Sequence, residues 1–394
     1  MKKALVILLA LSMVFAAFAD DPAAKNEVAE FTGNASVTWG VDLDTGKTGF
    51  TNSESANLKF TLMGTGDKAT SGEGVWGELK IKVGDPLQYD GGAWKNGKAS
   101  VDTAKIHIGE NFAIGIRSGD VQNGGYKLAL AAASDSDTFN VGAFGGSGNT
   151  KQGVTFEVAL PSVLNLNIDF RSDNTTQYTN NYGVAADVDV KAVDGLTLKV
   201  GFGMDFYGAK DKGLFAQLGY AAKLDDKFFI EPQFAFGMNF ADKMNLAAGL
   251  LFGWGDKNKD PIKFMTGKVS NGFSVATMFN LKNMAVIPLY IAVYDTTFVE
   301  NLAAGVEFDI ANLKAISSGM TLAFDAKYSL ENAVPTIGVK FVKAATNELN
   351  VYAACDLKGL VANTTFTVAY ASANLMSSAK PKLGTVNVTA KISF

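Results

Sequence analysis

Gly384-Thr-Val-Asn-Val-Thr-Ala-Lys-Ile-Ser-Phe394 alternates without a break. Val386, Val388, Ala390, Ile392 and Phe394 share one side of an extended chain, and Thr385, Asn387, Thr389, Lys391 and Ser393 share the other. A period of two marks a strand with one apolar and one wet face. Roughly ten tilted residues are enough to carry a strand across a bilayer. Two architectures end this way, a soluble sandwich and a membrane barrel. Phe394 sits on the apolar face at the chain end, which resembles the signal read by the outer-membrane barrel-assembly machinery.

The other end favours the barrel. Lys2 and Lys3 precede an apolar run from Ala4 to Phe18, and Ala17-Phe18-Ala19 offers a small-x-small cleavage site before Asp20. Residues 1–19 therefore read as a secretory signal peptide, residues 20–33 as a periplasmic leader, and 34–394 as one barrel domain. The formal charge of −4 becomes two units more negative once Lys2 and Lys3 are removed, so nothing points to nucleic acid. Cys355 is the one cysteine, which excludes an intrachain disulfide; its register with Leu349, Val351, Ala353 and Leu357 predicts a buried small hydrophobe. With 41 glycines, 28 phenylalanines and only 8 prolines, the composition favours strands over helical bundles.

The alternation recurs along the chain. Leu164, Leu166, Ile168 and Phe170 interleave with Asn165, Asn167, Asp169 and Arg171; Leu302 to Ile310 and Met320 to Ala326 repeat the pattern. The segments predict an all-β, transmembrane, antiparallel up-and-down β-barrel of roughly 18–22 strands. Soluble sandwiches and propellers use shorter strands, and no fixed repeat is present. Short connections fall at Gly109 to Asn111, Pro161-Ser162, Val193 to Gly195 and Leu224 to Asp226. Longer polar links are expected at 44–55, 84–100, 172–181 and 373–383. Trp254 to Gly272 holds either an extra strand (Ile262 to Lys268) or a loop. The terminal strand should pair with Asn34 to Leu43 and so close the barrel.

Catalytic chemistry finds little support. His107, the single histidine, stands on the polar face of Lys105-Ile106-His107-Ile108 with no partner that would make it a general base. No metal or cofactor is expected. Asp42-Leu-Asp44-Thr-Gly46 begins like a calcium loop, but Ser53 stands where a bidentate Glu is required. Asp135 with Asp137, and Asp187 with Asp189, read as solvated carboxylates. Gly145 to Gly148 lacks the lysine of a phosphate loop.

The polar faces carry more information. On the first half of the chain they would project Lys105, His107, Arg117, Glu157, Asp169, Arg171, Asp187 and Asp189 into a pore. On the second half they would add Lys199, Asp205, Glu307, Asp309, Asp325 and Lys327. Both signs are present and acids lead slightly, which predicts a wide, weakly cation-preferring channel without a ring of one charge. Tyr89 and Trp94 make loop 84–100 either an inward constriction or an exposed contact surface. Tyr178 and Tyr182 flank a polar loop suited to a surface epitope.

The segment from Phe31 to Phe50, with its Trp39-Gly40-x-Asp42-Leu43-Asp44 strand end leading to Gly49-Phe50-x-Asn52, resembles the N-terminal region of the treponemal major outer sheath (Tpr-like) proteins. That resemblance implies an abundant outer-membrane protein that forms large pores and also serves as a surface antigen and adhesin for host matrix proteins. The leading expectation is a porin passing small hydrophilic solutes, seated in outer-membrane lipid, with a homo-oligomer as one form. The alternative is a surface adhesin or sheath protein whose barrel anchors its loops. A barrel lipase or protease is the third reading, and it lacks a usable catalytic set.

Overall fold

The computed structural model describes residues 29–62, 75–84, 89–90, 93–94, 98–117, 141, 152–172, 182–206, 212–240, 243–255, 263–264 and 271–393. The alternating segments form one antiparallel sheet. Its strands are β1 (Ala29–Asp42), β2 (Thr48–Leu62), β3 (Val75–Gly84), β4 (Lys98–Ile108), β5 (Phe112–Arg117), β6 (Gln152–Leu160) and β7 (Leu164–Ser172). There follow β8 (Tyr182–Val190), β9 (Leu196–Asp205), β10 (Lys212–Tyr220, resuming as Ala222–Lys223), β11 (Phe228–Asn239), β12 (Met244–Trp254) and β13 (Gly272–Asn280). The last seven are β14 (Leu289–Asp295), β15 (Leu302–Ile310), β16 (Met320–Tyr328), β17 (Ala333–Lys343), β18 (Glu348–Lys358), β19 (Thr364–Ala371) and β20 (Thr385–Ser393).

Each strand pairs with its sequence neighbours, and β1 pairs with β20. Counting the interrupted β10 once, the 21 sheet segments make a closed barrel of twenty strands. Trp39 lies opposite Val388, as the closing pair should. The stretch between Trp254 and Gly272 contributes no strand to the barrel wall: β12 and β13 pair directly, from Asn245↔Asn280 to Gly253↔Gly272. The even count follows, and it brings the start of β1 and the end of β20 to the same rim.

That rim carries the short connections 109–111, 161–163, 191–195, 224–227, 329–332 and 359–363, together with two longer ones, 63–74 and 255–271. The opposite rim carries the longer connections 85–97, 118–151, 173–181 and 372–384, together with shorter ones such as 43–47, 240–243 and 344–347. The expected link 44–55 is shorter in the structure: β2 already begins at Thr48, so Gly49, Phe50 and Asn52 are strand residues facing Gly40, Trp39 and Val37. Likewise β1 begins at Ala29, and residues 29–33 pair with β2 alone. Phe394 and the candidate signal peptide lie outside the described residues.

Burial is inverted relative to a soluble sheet. Phe170, Phe234, Leu322 and Val388 are exposed on the outer face, Phe170 at 52%. Asp169, Gln217, Gln233, Ser274, Glu307 and Asp325 are buried on the inner one. A continuous apolar exterior of this extent in a soluble monomer would drive association, whereas in hydrocarbon it is the low-energy surface. Cys355 lies on this outer face, half-buried between Pro335 and Val368, and not in a core. The alternation predicted its face correctly, but in a membrane barrel the apolar side is the outside.

A polar latch holds the seam where β1 meets β20. The Leu383 and Gly384 amides donate to the two carboxylate oxygens of Asp44 at 2.7 and 3.0 Å, and the Leu43 amide donates to the Gly384 carbonyl. Gly384 has φ +78, and a Cβ there would strike the Ala371 carbonyl. Asp42 shapes the adjoining turn by accepting the Asp44 and Thr45 amides. Bonds to a charged acceptor are the stronger kind, so Asp44→Ala should cost about 1–3 kcal/mol at this half-exposed site, and Asp44→Asn less. The temperature at which the folded species is lost on a gel checks this; an unchanged value would remove the latch.

Candidate functional site

The inner wall is the one surface where the chain gathers polar chemistry. On β3, Trp76, Glu78 and Lys80 point inward, opposite His107, Lys105 and Thr103 on β4. The Trp76 and His107 rings stack with centroids 3.7 Å apart and 2° between their planes, and His107 Nε2 lies 3.8 Å from Glu78. Lys105 reaches over β5 to Glu157 on β6, at 2.8 Å. It can do so because the β5 residues between them, Ala113 and Gly115, are small. A register shift beside Lys80 leaves Asp102 without a cross-strand partner, and its carboxylate meets Lys80 at 3.0 Å.

A second shift lies between Ala104 and Lys105, so that Arg117 stands opposite Ala104. The side chains of Arg117, Arg171 and Asp205 lie outside the described residues. So do Tyr178, Asp135, Asp137 and Gly145 to Gly148. Tyr89 and Trp94 are backbone partners in a two-residue ladder, Tyr89–Asp90 with Ala93–Trp94, separate from the barrel sheet.

From β6 to β9 the inward acids sit in hydrogen bonds. Thr155 donates to Asp169 at 3.3 Å, Asn167 spans both oxygens of Asp187, and Asp189 meets Lys191 at 2.6 Å and Lys199 at 3.6 Å. Further round, Tyr290 donates to Glu307 and Gln233 donates to Glu231. Lys327 faces inward opposite Ala303, and Lys340 stands near Asp309. Glu78, Lys80, Lys82 and Lys340 are inner-wall charges that the sequence reading did not single out. The signal was there in Trp76-x-Glu78-x-Lys80-x-Lys82 alternating with Leu79, Ile81 and Val83.

Among the described residues, two parts of the chain outside the wall reach into the barrel. Val141, from the connection between β5 and β6, is fully buried against Ala235, Ala247, Ala276, Tyr290, Ala292 and Tyr294. Gly237 admits its carbonyl, since a Cβ there would come within 2.7 Å. Lys263 and Phe264, from the connection between β12 and β13, meet the wall at β16–β18. Among the described residues no three His, Cys, Asp or Glu side chains are placed to hold a metal ion. The polar wall can hydrate and guide solutes.

The two faces make opposite demands on a substitution. Val388→Lys places a charge on the outer face near mid-strand and should cost about 2–4 kcal/mol of stability in lipid, whereas Thr389→Lys on the inner face should cost little. Urea titration of vesicle-folded protein measures both; equal costs would contradict the assignment of faces.

No family model matches the chain. It is similar to the major outer membrane protein MspA of Treponema maltophilum, with 28% identity covering 98% of this chain and 96% of that protein. It is also similar to the major surface protein MspTL of Treponema lecithinolyticum, with 44% identity over 135 residues, 32% of this chain and 22% of that one. Among solved structures, variants of a Rhodopseudomonas blastica porin align with 93% of the chain and all of their own length, at 12% identity and a TM-score of 0.41.

Proposed function

We infer that this chain, which belongs to the treponemal major outer sheath (Msp-like) protein family, is an outer-membrane porin. One observation carries the reading: a closed barrel of twenty strands turns its apolar residues outward and its polar residues inward. Barrels of this size enclose more space than wall side chains alone fill. Transport is passive, down the gradient of each small hydrophilic solute, with selection by width and by the charges that reach water. The signal peptide at residues 1–19 directs export, and the barrel-assembly machinery inserts the chain. The relative named a major outer membrane protein supports this location.

The charge balance seen by a solute differs from the balance of the sequence. Asp169, Asp187, Glu307 and Asp325 are buried, and among the described side chains no lysine is buried. Lys82 and Lys391, by contrast, are exposed on inward positions. Long lysine stems carry their charge out to water, while short carboxylates stay within the wall's hydrogen bonds. The lead of acids over bases is thereby cancelled, and selectivity is weak.

Refolded protein in planar bilayers should give stepwise conductance; its absence, with the folded barrel verified by gel shift, would overturn the porin reading. In a salt gradient the reversal potential should lie close to zero. A strongly cation-selective value would show that the buried carboxylates govern the passage after all.

An adhesin role is the second reading, favoured by the long connections at the rim opposite the termini and by the relative named a surface protein. Host matrix proteins would then bind at 85–97 or 173–181, and a folded deletion variant that still binds them would exclude those loops.

A further inference from the structure

Asp325, Gly338 and Tyr352 form one row of inward positions across β16, β17 and β18. Each is matched to something that enters from outside the wall. The Phe264 amide donates to Asp325 Oδ2 at 2.7 Å, and Asp325 is fully buried. The Phe264 ring lies over Gly338, where a Cβ would come within 3.0 Å of it and would also strike the Asp325 carboxylate. Lys263 Nζ stands 4.3 Å from the centre of the Tyr352 ring, and the Lys263 side chain is exposed.

These residues lie between β12 and β13, while their seat lies four strands further round, at β17. Strands about 4.8 Å apart make that roughly 20 Å along the wall. The dipeptide therefore stands inside the barrel, and it comes from the rim that holds both chain ends. A backbone amide given to a buried carboxylate, a ring over the one residue type that admits it, and a cation over an aromatic face are three separate fits at one place.

We propose that Lys263 and Phe264 form a built constriction, with Asp325, Gly338 and Tyr352 as its seat and the Lys263 ammonium as a charge in the conducting path. Resting on the porin reading, it assigns the determinant of size and charge selection to a hook from the terminus-bearing side. Phe264 narrows the passage, and the Lys263 ammonium offsets the nearby acids there, which keeps the overall selectivity weak and the reversal potential near zero.

The test uses the full chain with Cys355→Ala, which removes the outward thiol, and Lys263→Cys. A negatively charged sulfonatoethyl methanethiosulfonate is added during single-channel recording. The expected result is a stepwise loss of current and a shift of the reversal potential toward cation preference. Unchanged current and reversal potential after modification confirmed by mass, or a thiol that water-borne reagent never reaches, would overturn the proposal. A second variant, Asp325→Ala, should release the hook and raise single-channel conductance, with Asp325→Asn closer to the parent; conductance no different from the parent in a folded Asp325→Ala variant would count against the seat. A parent chain without conducting steps would instead sink the porin reading, so the two failures are distinct.

Discussion

The whole structure depends on one requirement: no backbone N–H or C=O can be left unpaired in hydrocarbon. A sheet meets it only by joining its first strand to its last, which places the decisive contact at β1 and β20. There Asn34 to Asp42 runs antiparallel to Thr385–Ser393, and the Asp44 carboxylate ties the two adjoining connections together. Closure also dictates the parity of the strand count and puts both ends of the barrel chain on one rim. Connection length is not set by that constraint: the rim with the chain ends also carries 63–74 and 255–271, and the opposite rim also carries the short turns 43–47, 240–243 and 344–347.

Once the ladder closes, the period of two does the rest. Apolar residues meet lipid and polar residues meet the interior, so the energetics reverse those of a soluble domain. The interior is not uniformly wet. On β11–β13 the inward positions Ala235, Gly237, Ala247, Gly249 and Ala276 are small and adjoin, and that absence of side-chain volume leaves room for Val141. Gly338 does the same for Phe264 on the far side. Small residues on the inner wall therefore mark where other parts of the chain enter, and large polar ones mark where solvent or neighbouring side chains fill the space.

Much of this was legible in the amino-acid order. Leu164 to Phe170 against Asn165 to Arg171 declares its faces without any tertiary information, because adjacent side chains on a strand must point opposite ways. The same rule placed Lys105, His107, Glu157, Asp169 and Asp187 on one face. It carries no information about places where one residue breaks the register. Asp102 and Arg117 sit at such shifts, and a bulge carries no periodic signature of its own. The choice left open for Ile262 to Lys268 could not be made locally either, since only the direct pairing of β12 with β13 excludes a strand between them from the wall.

The sequence by itself determined the strands, their two faces and the closure of the ends, because each rests on neighbours along the chain or on composition. Only the tertiary structure decided the strand count, the burial of Asp169, Asp187, Glu307 and Asp325, and the seat of Phe264 on Asp325 and Gly338. Those depend on contacts between residues dozens of positions apart, and on how far a side chain extends from a curved wall. Charge counted along a chain weighs every carboxylate equally; a barrel interior weighs it by its access to water.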